Sequence, residues 1–271
     1  MNQEATEKLQ KVVARAGIAS RREAERWIKE GRFRVNGKVA TIGDRVGEHD
    51  SIDLDGRRVK LKSGEQFQRR VLAYHKPVGE ICTRKDPEGR PTVFDRLPRI
   101  KGERWIAIGR LDYNTSGLLL FTNDGELANL LMHPSSDIDR EYLVRVMGEV
   151  DGDMMDRLRK GVMLEDGEAS FSDIQHDKRS EEDSINQWYS VCLMEGRNRE
   201  VRRLWESQGV TVSRLKRVRF GPIFLTTKLR QGKFLDLHDR DVRDLIDAAT
   251  PKVKHKAPEF KDLDENLSDD A

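Results

Sequence analysis

The sequence predicts an α+β protein: a mixed, mainly antiparallel sheet in a large C-terminal domain, preceded by a small N-terminal α/β module. Three observations predict it. Residues 7–60 carry two short amphipathic helical patterns followed by strands; from Val71 onward strand and helix patterns alternate; and several strand candidates are joined too tightly for the crossover that parallel neighbours need. At 271 residues with 36% hydrophobic side chains, the chain is long enough to bury one large core and one small one.

In the module, Leu9, Val12, Val13 and Ala16 recur at helical spacing and Gly17 closes the helix. Ser20 and Glu23 make a capping box for a second helix with Ala24, Trp27 and Ile28 as its buried stripe and Gly31 as its stop. Phe33 and Val35 then alternate with Arg32 and Arg34, and Asn36-Gly37 is a preferred two-residue hairpin turn into Lys38 and Val39. Residues 61–69, LKSGEQFQR, lack apolar periodicity and read as a polar linker joining two modules flexibly.

In the larger domain, residues 70–249, strands are expected at Val71 to His75, Trp105 to Ile108, Leu118 to Phe121, Tyr142 to Met147, Trp188 to Leu193 and Thr211 to Phe220. Leu118 to Phe121 is apolar without alternation, so that strand should be covered on both faces. Helices are expected at Gly125 to Met132 with Asp124 as cap, Asp153 to Lys160 ending in Gly161, Asn198 to Gln208 ending in Gly209, and from about Asp241 to Ala249. The tail from residue 250 to 271 is polar and expected to be disordered, with acidic character from Asp262 onward.

Lys plus Arg total 50 against 48 Asp plus Glu, so the balance is uninformative and any nucleic-acid surface must come from local segregation of charge. Residues 1–60 carry 14 basic against 10 acidic side chains, with Arg15, Arg21, Arg22, Arg26, Arg32 and Arg34 close to the two helices. That fits a phosphate footprint, and it fits a solvated basic face equally well. Cys82 and Cys192 stand apart from each other and from any His cluster, which points to reduced packing residues. No signal core and no run of 18 apolar residues occurs, so a cytoplasmic protein without membrane association is expected.

Chemistry concentrates in the run GRLDYNTSGLLLFTNDG, residues 109–125. Asp112 there lies just ahead of an apolar strand, where a rigid core meets a cleft. Taken alone, Asp112, Asn114 and Thr115 also fit an Asx or Ser/Thr turn. Three more stretches stand out: Tyr74-His75-Lys76-Pro77-Val78-Gly79, a strand ending in a Pro-x-Gly turn; the alternating strand from Arg140 to Val146; and Glu195 to Trp205, where Val201, Leu204, Trp205 and Gln208 trace a helical face. Residues 197–219 hold eight basic against two acidic side chains, so anionic partners are needed there, RNA phosphate or buried carboxylate.

In their order, these motifs resemble the RsuA-type pseudouridine synthases, which isomerise uridine to pseudouridine in ribosomal RNA. Residues 7–60, through LQKVVARAGIASRREAERWIKEGRFRVNGKVA, resemble the S-four-type RNA-binding module. The resemblance implies the pseudouridine synthase fold and a cofactor-free, metal-free mechanism with Asp112 catalytic. It implies that Arg110 fills the gap left by a flipped uridine, that Tyr142 stacks on the base, and that Arg202, following Val201, pairs with Asp112. RNA contacts are expected from Arg15, Ser20, Arg21, Arg22, Arg26 and Arg34 in the module, and from Lys76, Arg197 and Arg199 beyond it.

Within the family, CTRKDPEGRPTVFDRLP and the stretch that follows look most like members acting on large-subunit (23S) rRNA. Small-subunit rRNA, or a non-catalytic assembly factor holding RNA on the same surfaces, is the alternative. The partner is thus ribosomal RNA or a pre-ribosomal particle, met by a monomer. His75, His133 and His176 read as scattered polar residues rather than metal ligands.

Overall fold

The computed structural model describes residues 6–59, 67–177 and 186–250. The expected tail except Thr250, and all of the linker except 67–69, lie outside them. Among the described residues no helix is long and apolar enough to cross a membrane.

The first module runs β1 (Glu7–Lys8), α1 (Leu9–Arg15), α2 (Arg21–Lys29), β2 (Phe33–Val35), β3 (Lys38–Val39), β4 (Arg45–Val46), β5 (Ile52–Leu54) and β6 (Arg57–Arg58). Leu9, Val12, Val13, Ala24, Ile28 and Phe33 pack into its own core. Ser20 Oγ caps α2 by accepting from Glu23 N–H at 3.1 Å. The return half of the expected capping box is not among the described hydrogen bonds; Glu23 reaches forward to Arg26 at 3.5 Å instead. The hairpin turn falls on Asn36 and Gly37, with φ of 50° and 80°, the positive pair a type I′ turn demands. Lys11 of α1 ion-pairs with Glu126 of the larger domain, so the module has a direct contact to it beyond the chain connection.

The larger domain contains β7 (Val71–Lys76), β8 (Ile106–Ile108), β9 (Thr115–Thr122), α3 (Gly125–Met132), β10 (Arg140–Met147), α4 (Gly152–Lys160), β11 (Val162–Leu164), β12 (Gly167–Ala169), β13 (Asp173–His176), β14 (Asn186–Leu193), α5 (Glu200–Glu206), β15 (Thr211–Phe220), β16 (Ile223–Phe224), β17 (Phe234–Asp236) and α6 (Asp239–Ala249). Its sheet has the order β13-β14-β10-β15-β9-β7-β17, with β16 beside β15 and β8 beside β9. Among the described residues its pairings are antiparallel except β15 with β9, so the sheet is mixed and mainly antiparallel.

Central strand β9 shows why its sequence does not alternate. Leu119 and Phe121 enter the core shared with Tyr142, Val144 and Trp205, while Leu118 and Leu120 enter the opposite core with Leu127, Leu131 and Leu245. A strand buried on both faces has no use for a polar side chain at either parity. Helix α3 starts where Asp124 accepts from the N–H groups of Glu126 and Leu127 at 2.8 and 3.2 Å. The strands β11, β12, β13, β16 and β17 were not anticipated; each has two to four residues, too few for a periodic signal, and forms because a neighbour supplies the ladder. Helix α5 is shorter than its pattern, starting at Glu200 rather than Asn198 because Arg199 adopts φ 49° ahead of it.

Candidate active site

Asp112 sits on the loop 109–114 between β8 and β9, and the main chain of this loop is tied down residue after residue. Leu111 N–H donates to Cys82 Sγ at 3.4 Å and Leu111 O accepts from it at 3.2 Å. Burial pushes the Cys82 thiol's pKa up, which keeps it a neutral donor. Lys76 Nζ donates to the carbonyls of Asp112, Thr115 and Pro77 at 3.1, 2.8 and 2.9 Å. Tyr113 O accepts from Gly79 N–H at 3.0 Å, Asn114 O from Arg202 Nη2 at 3.1 Å, and Thr115 N–H closes back on Asp112 O at 3.0 Å. A turn and a held carboxylate are therefore the same object here.

This overturns the expectation for Lys76. It is wholly buried, its pKa driven down by burial, and its three donors are spent on backbone oxygens, so it holds the loop and does not meet RNA. Lys76→Met takes the donor from the Pro77 and Thr115 carbonyls, while Asp112 O keeps Thr115 N–H, and at about 1–3 kcal/mol for each unsatisfied buried group the loss of stability should exceed about 2 kcal/mol. Denaturant unfolding of the variant checks it; a midpoint unchanged from the parent would contradict this assignment.

The Asp112 loop forms one wall of a cleft of about 360 Å³, within the range of small-molecule sites. Arg110, Asp112, Tyr142, Val201, Arg217 and Phe220 all line it. Arg110 is exposed and lies on the loop past Gly109; a loop position lets its side chain project from the cleft rim. Tyr142 is nearly buried and shares its face of β10 with Val144 and Val146. Val201 is buried on α5.

Arg202 does not pair with Asp112 among the described ion pairs. Its Nη1 donates to Val212 O at 2.8 Å, its Nη2 to Asn114 O, and its Nε has no partner. Burial dominates in pushing its pKa down, with Arg199 adding to that and the nearby Asp112 charge opposing it. Arg202 thus steadies the Asp112 loop through its backbone, because two carbonyls lie closer to the guanidinium than the carboxylate does.

Arg197 and Arg199 both line the cleft. Arg197 pairs with Glu195 at 2.6 Å and lies within 4 Å of Asp166 and Glu200, while Arg199 reaches Glu206 at 3.7 Å. Carboxylates therefore supply anions on this helix start. In the module, Arg15 pairs with Glu7, Arg26 with Glu23 and Glu30, and Arg34 donates to Gly37 O. Arg21 and Arg22 stay exposed, and Ser20 is occupied as a helix cap.

Three charged cleft residues, Arg140, Glu200 and Arg217, have no role that the sequence motifs assign. Arg140 donates to Ile138, Met194 and Glu195 carbonyls, and its pKa is lowered chiefly by burial. Glu200 is 3% exposed, and burial raises its pKa. Arg217 is 2% exposed on β15. The one available signal for Arg217 was an arginine two residues after Leu215, at the parity of a buried position. Among the described residues no group of three or more His, Cys, Asp or Glu could hold a metal ion.

A family profile described as RNA pseudouridylate synthase matches residues 70–207, and one described as S4 domain matches residues 7–52. The ribosomal large subunit pseudouridine synthase B of Pseudomonas aeruginosa is 61% identical over 236 residues, covering 87% of this chain and 61% of its own length. That of Pasteurella multocida is 61% identical over 228 residues, covering 83% of this chain and 65% of its own. The Vibrio cholerae protein of the same name is 56% identical over 260 residues, covering 94% and 80%. This chain thus spans less than two thirds of the length of the first two relatives. A crystal structure of a pseudouridylate synthase superposes with a TM-score of 0.61 at 21% identity, covering 88% of this chain and 99% of that one; at that identity the likeness is one of fold.

Proposed function

Because the chain belongs to the RNA pseudouridylate synthase family, we propose that it isomerises uridine to pseudouridine in large-subunit ribosomal RNA, with Asp112 as the catalytic carboxylate. The observation that carries this reading is the Asp112 loop, anchored at successive peptide groups, facing Tyr142 across one cleft. Rigid placement of a reacting group is worth much of a barrier.

On this reading, residues 7–60 hold structured RNA by shape and phosphate, residues 70–249 carry the chemistry, and the protein works as a monomer. A uridine leaves its stack, Arg110 takes up the vacated space, and the base enters the cleft against Tyr142. Asp112 then attacks the anomeric carbon of the ribose or assists elimination there. The bond from that carbon to N1 breaks, uracil turns, and its C5 rejoins the sugar. An N-glycoside hydrolase could start from the same attack, but would release the base.

Purified protein incubated with in-vitro-transcribed large-subunit rRNA tests the reading. Pseudouridine in the digested product supports it; free uracil with abasic sites, or unchanged RNA, would sink it. Tyr142→Ala should lower kcat/KM about 10- to 100-fold, following the 1–3 kcal/mol of a base–aromatic stack, with Tyr142→Phe close to wild type. Steady-state kinetics of the two variants check this, and equal losses in both would show that the ring plane is not what matters.

A further inference from the structure

Arg217, one of the residues lining the cleft, has a buried donor to spare. On β15 it stands opposite Tyr142 of β10 and in register with Gly117 of β9, so its side chain leaves the sheet on the same face as Tyr142. Only 2% of it is exposed. Its Nε donates to Leu118 O at 2.8 Å, its guanidinium carbon lies 5.4 Å from the Phe220 ring centre, and its Nη2 has no hydrogen-bond partner among the described residues.

Two residues further along the same strand, Arg219 has a different setting: it is closed by Asp139 and by Glu141, the latter at 2.9 Å. None of the described ion pairs closes Arg217 in that way. A buried cation with an unused donor is unfavourable unless an acceptor arrives, and this one lines the same cleft as Asp112.

The isomerisation supplies an acceptor. When the bond from the anomeric carbon to N1 breaks, the electron pair leaves with uracil and spreads from N1 onto its carbonyl oxygens. The base then bonds through C5, which gives up its proton while N1 takes one up, so no co-reactant is needed. We infer that Arg217 is a catalytic residue that donates to a carbonyl oxygen of the flipped uracil and stabilises the negative charge the base carries while detached. The inference rests on the isomerase reading above. A preorganised charge aimed at a developing anion in a water-poor site is among the strongest catalytic effects available to a protein.

The test compares wild type, Arg217→Lys and Arg217→Gln under single-turnover conditions on large-subunit rRNA transcribed with uridine or with 5-fluorouridine. Loss of the N-glycosidic nucleoside is followed on both transcripts by chromatography with mass spectrometry, and gain of the C-glycosidic isomer on the uridine transcript alone, because C5 of the fluorinated base has no proton to give up. Fluorine already stabilises the departing base as an anion. Arg217→Gln should therefore be slowed at least about 100-fold on the uridine transcript but much less on the fluorinated one, with Arg217→Lys intermediate and RNA affinity unchanged in both.

Equal deficits on the two transcripts, or no deficit, overturn the role of Arg217 while leaving the isomerase reading standing. If Arg217→Gln does not fold, the same comparison on Arg217→Lys decides. Wild type that makes no C-glycoside from the uridine transcript overturns both.

Discussion

Asp112→Asn removes pseudouridine formation, lowering single-turnover rates at least about 1,000-fold as loss of a reacting group typically does, while RNA affinity and thermal stability stay near those of the parent. The separation of effects follows from where the bonds fall. The interactions that fix this loop are on its main chain: Lys76 and Thr115 on the carbonyl of Asp112, Gly79 on that of Tyr113, Arg202 on that of Asn114. None of them uses the carboxylate, so an amide of the same shape leaves the loop in place. What it lacks is a nucleophilic, negatively charged oxygen for the anomeric carbon. Single-turnover assays beside a filter-binding titration measure both halves. A variant that loses RNA affinity in step with rate would point to a binding role instead.

Gly117→Ala should be the most damaging small substitution near the site. Gly117 has φ +113°, and a Cβ there would sit 2.1 Å from Arg217 O and 2.6 Å from Arg217 N. Both neighbours are backbone of β15, in register with β9 at the one parallel pairing of the sheet, so neither can swing aside. Strain from the dihedral alone is worth about 1–3 kcal/mol; separating two central strands adds to it, and the total should exceed about 4 kcal/mol, at the exceptional end for a point change. Expression yield and a denaturant melt report the outcome. A variant melting within about 1 kcal/mol of wild type would mean that the two strands separate easily.

How far the sequence speaks depends on whether the signal is local. Helix α3 was legible to the residue because its cap, Asp124, and the helix it starts lie within one short stretch, and β9 was legible because burial on both faces leaves an unbroken apolar run. The short strand β17 was not, since it exists only through β7, a partner distant in sequence, and β16 was not because two residues folded back on the end of β15 are too few for a periodic signal. The same division runs through the site. Asp112, Tyr142 and Val201 carry motifs that can be read along the chain, and the fold brings all three to one cleft.

Lys76 and Arg202 each stand beside a motif like a partner for an anion, and the fold turns donors of both to backbone carbonyls, Pro77 and Thr115 for Lys76, Val212 and Asn114 for Arg202. Arg217 was missed because its importance comes from standing across from Tyr142. The register shift between Glu141 and Tyr142 prevents that pairing from being counted out along the chain.

Pseudouridine mapping across ribosomal RNA tests the central claim most directly, in cells whose copy of this gene is disrupted and then restored as wild type or as Asp112→Asn. One large-subunit pseudouridine should vanish on disruption, return with the wild-type gene and stay absent with the asparagine variant. An unchanged map after disruption, or a site restored by Asp112→Asn, would contradict it.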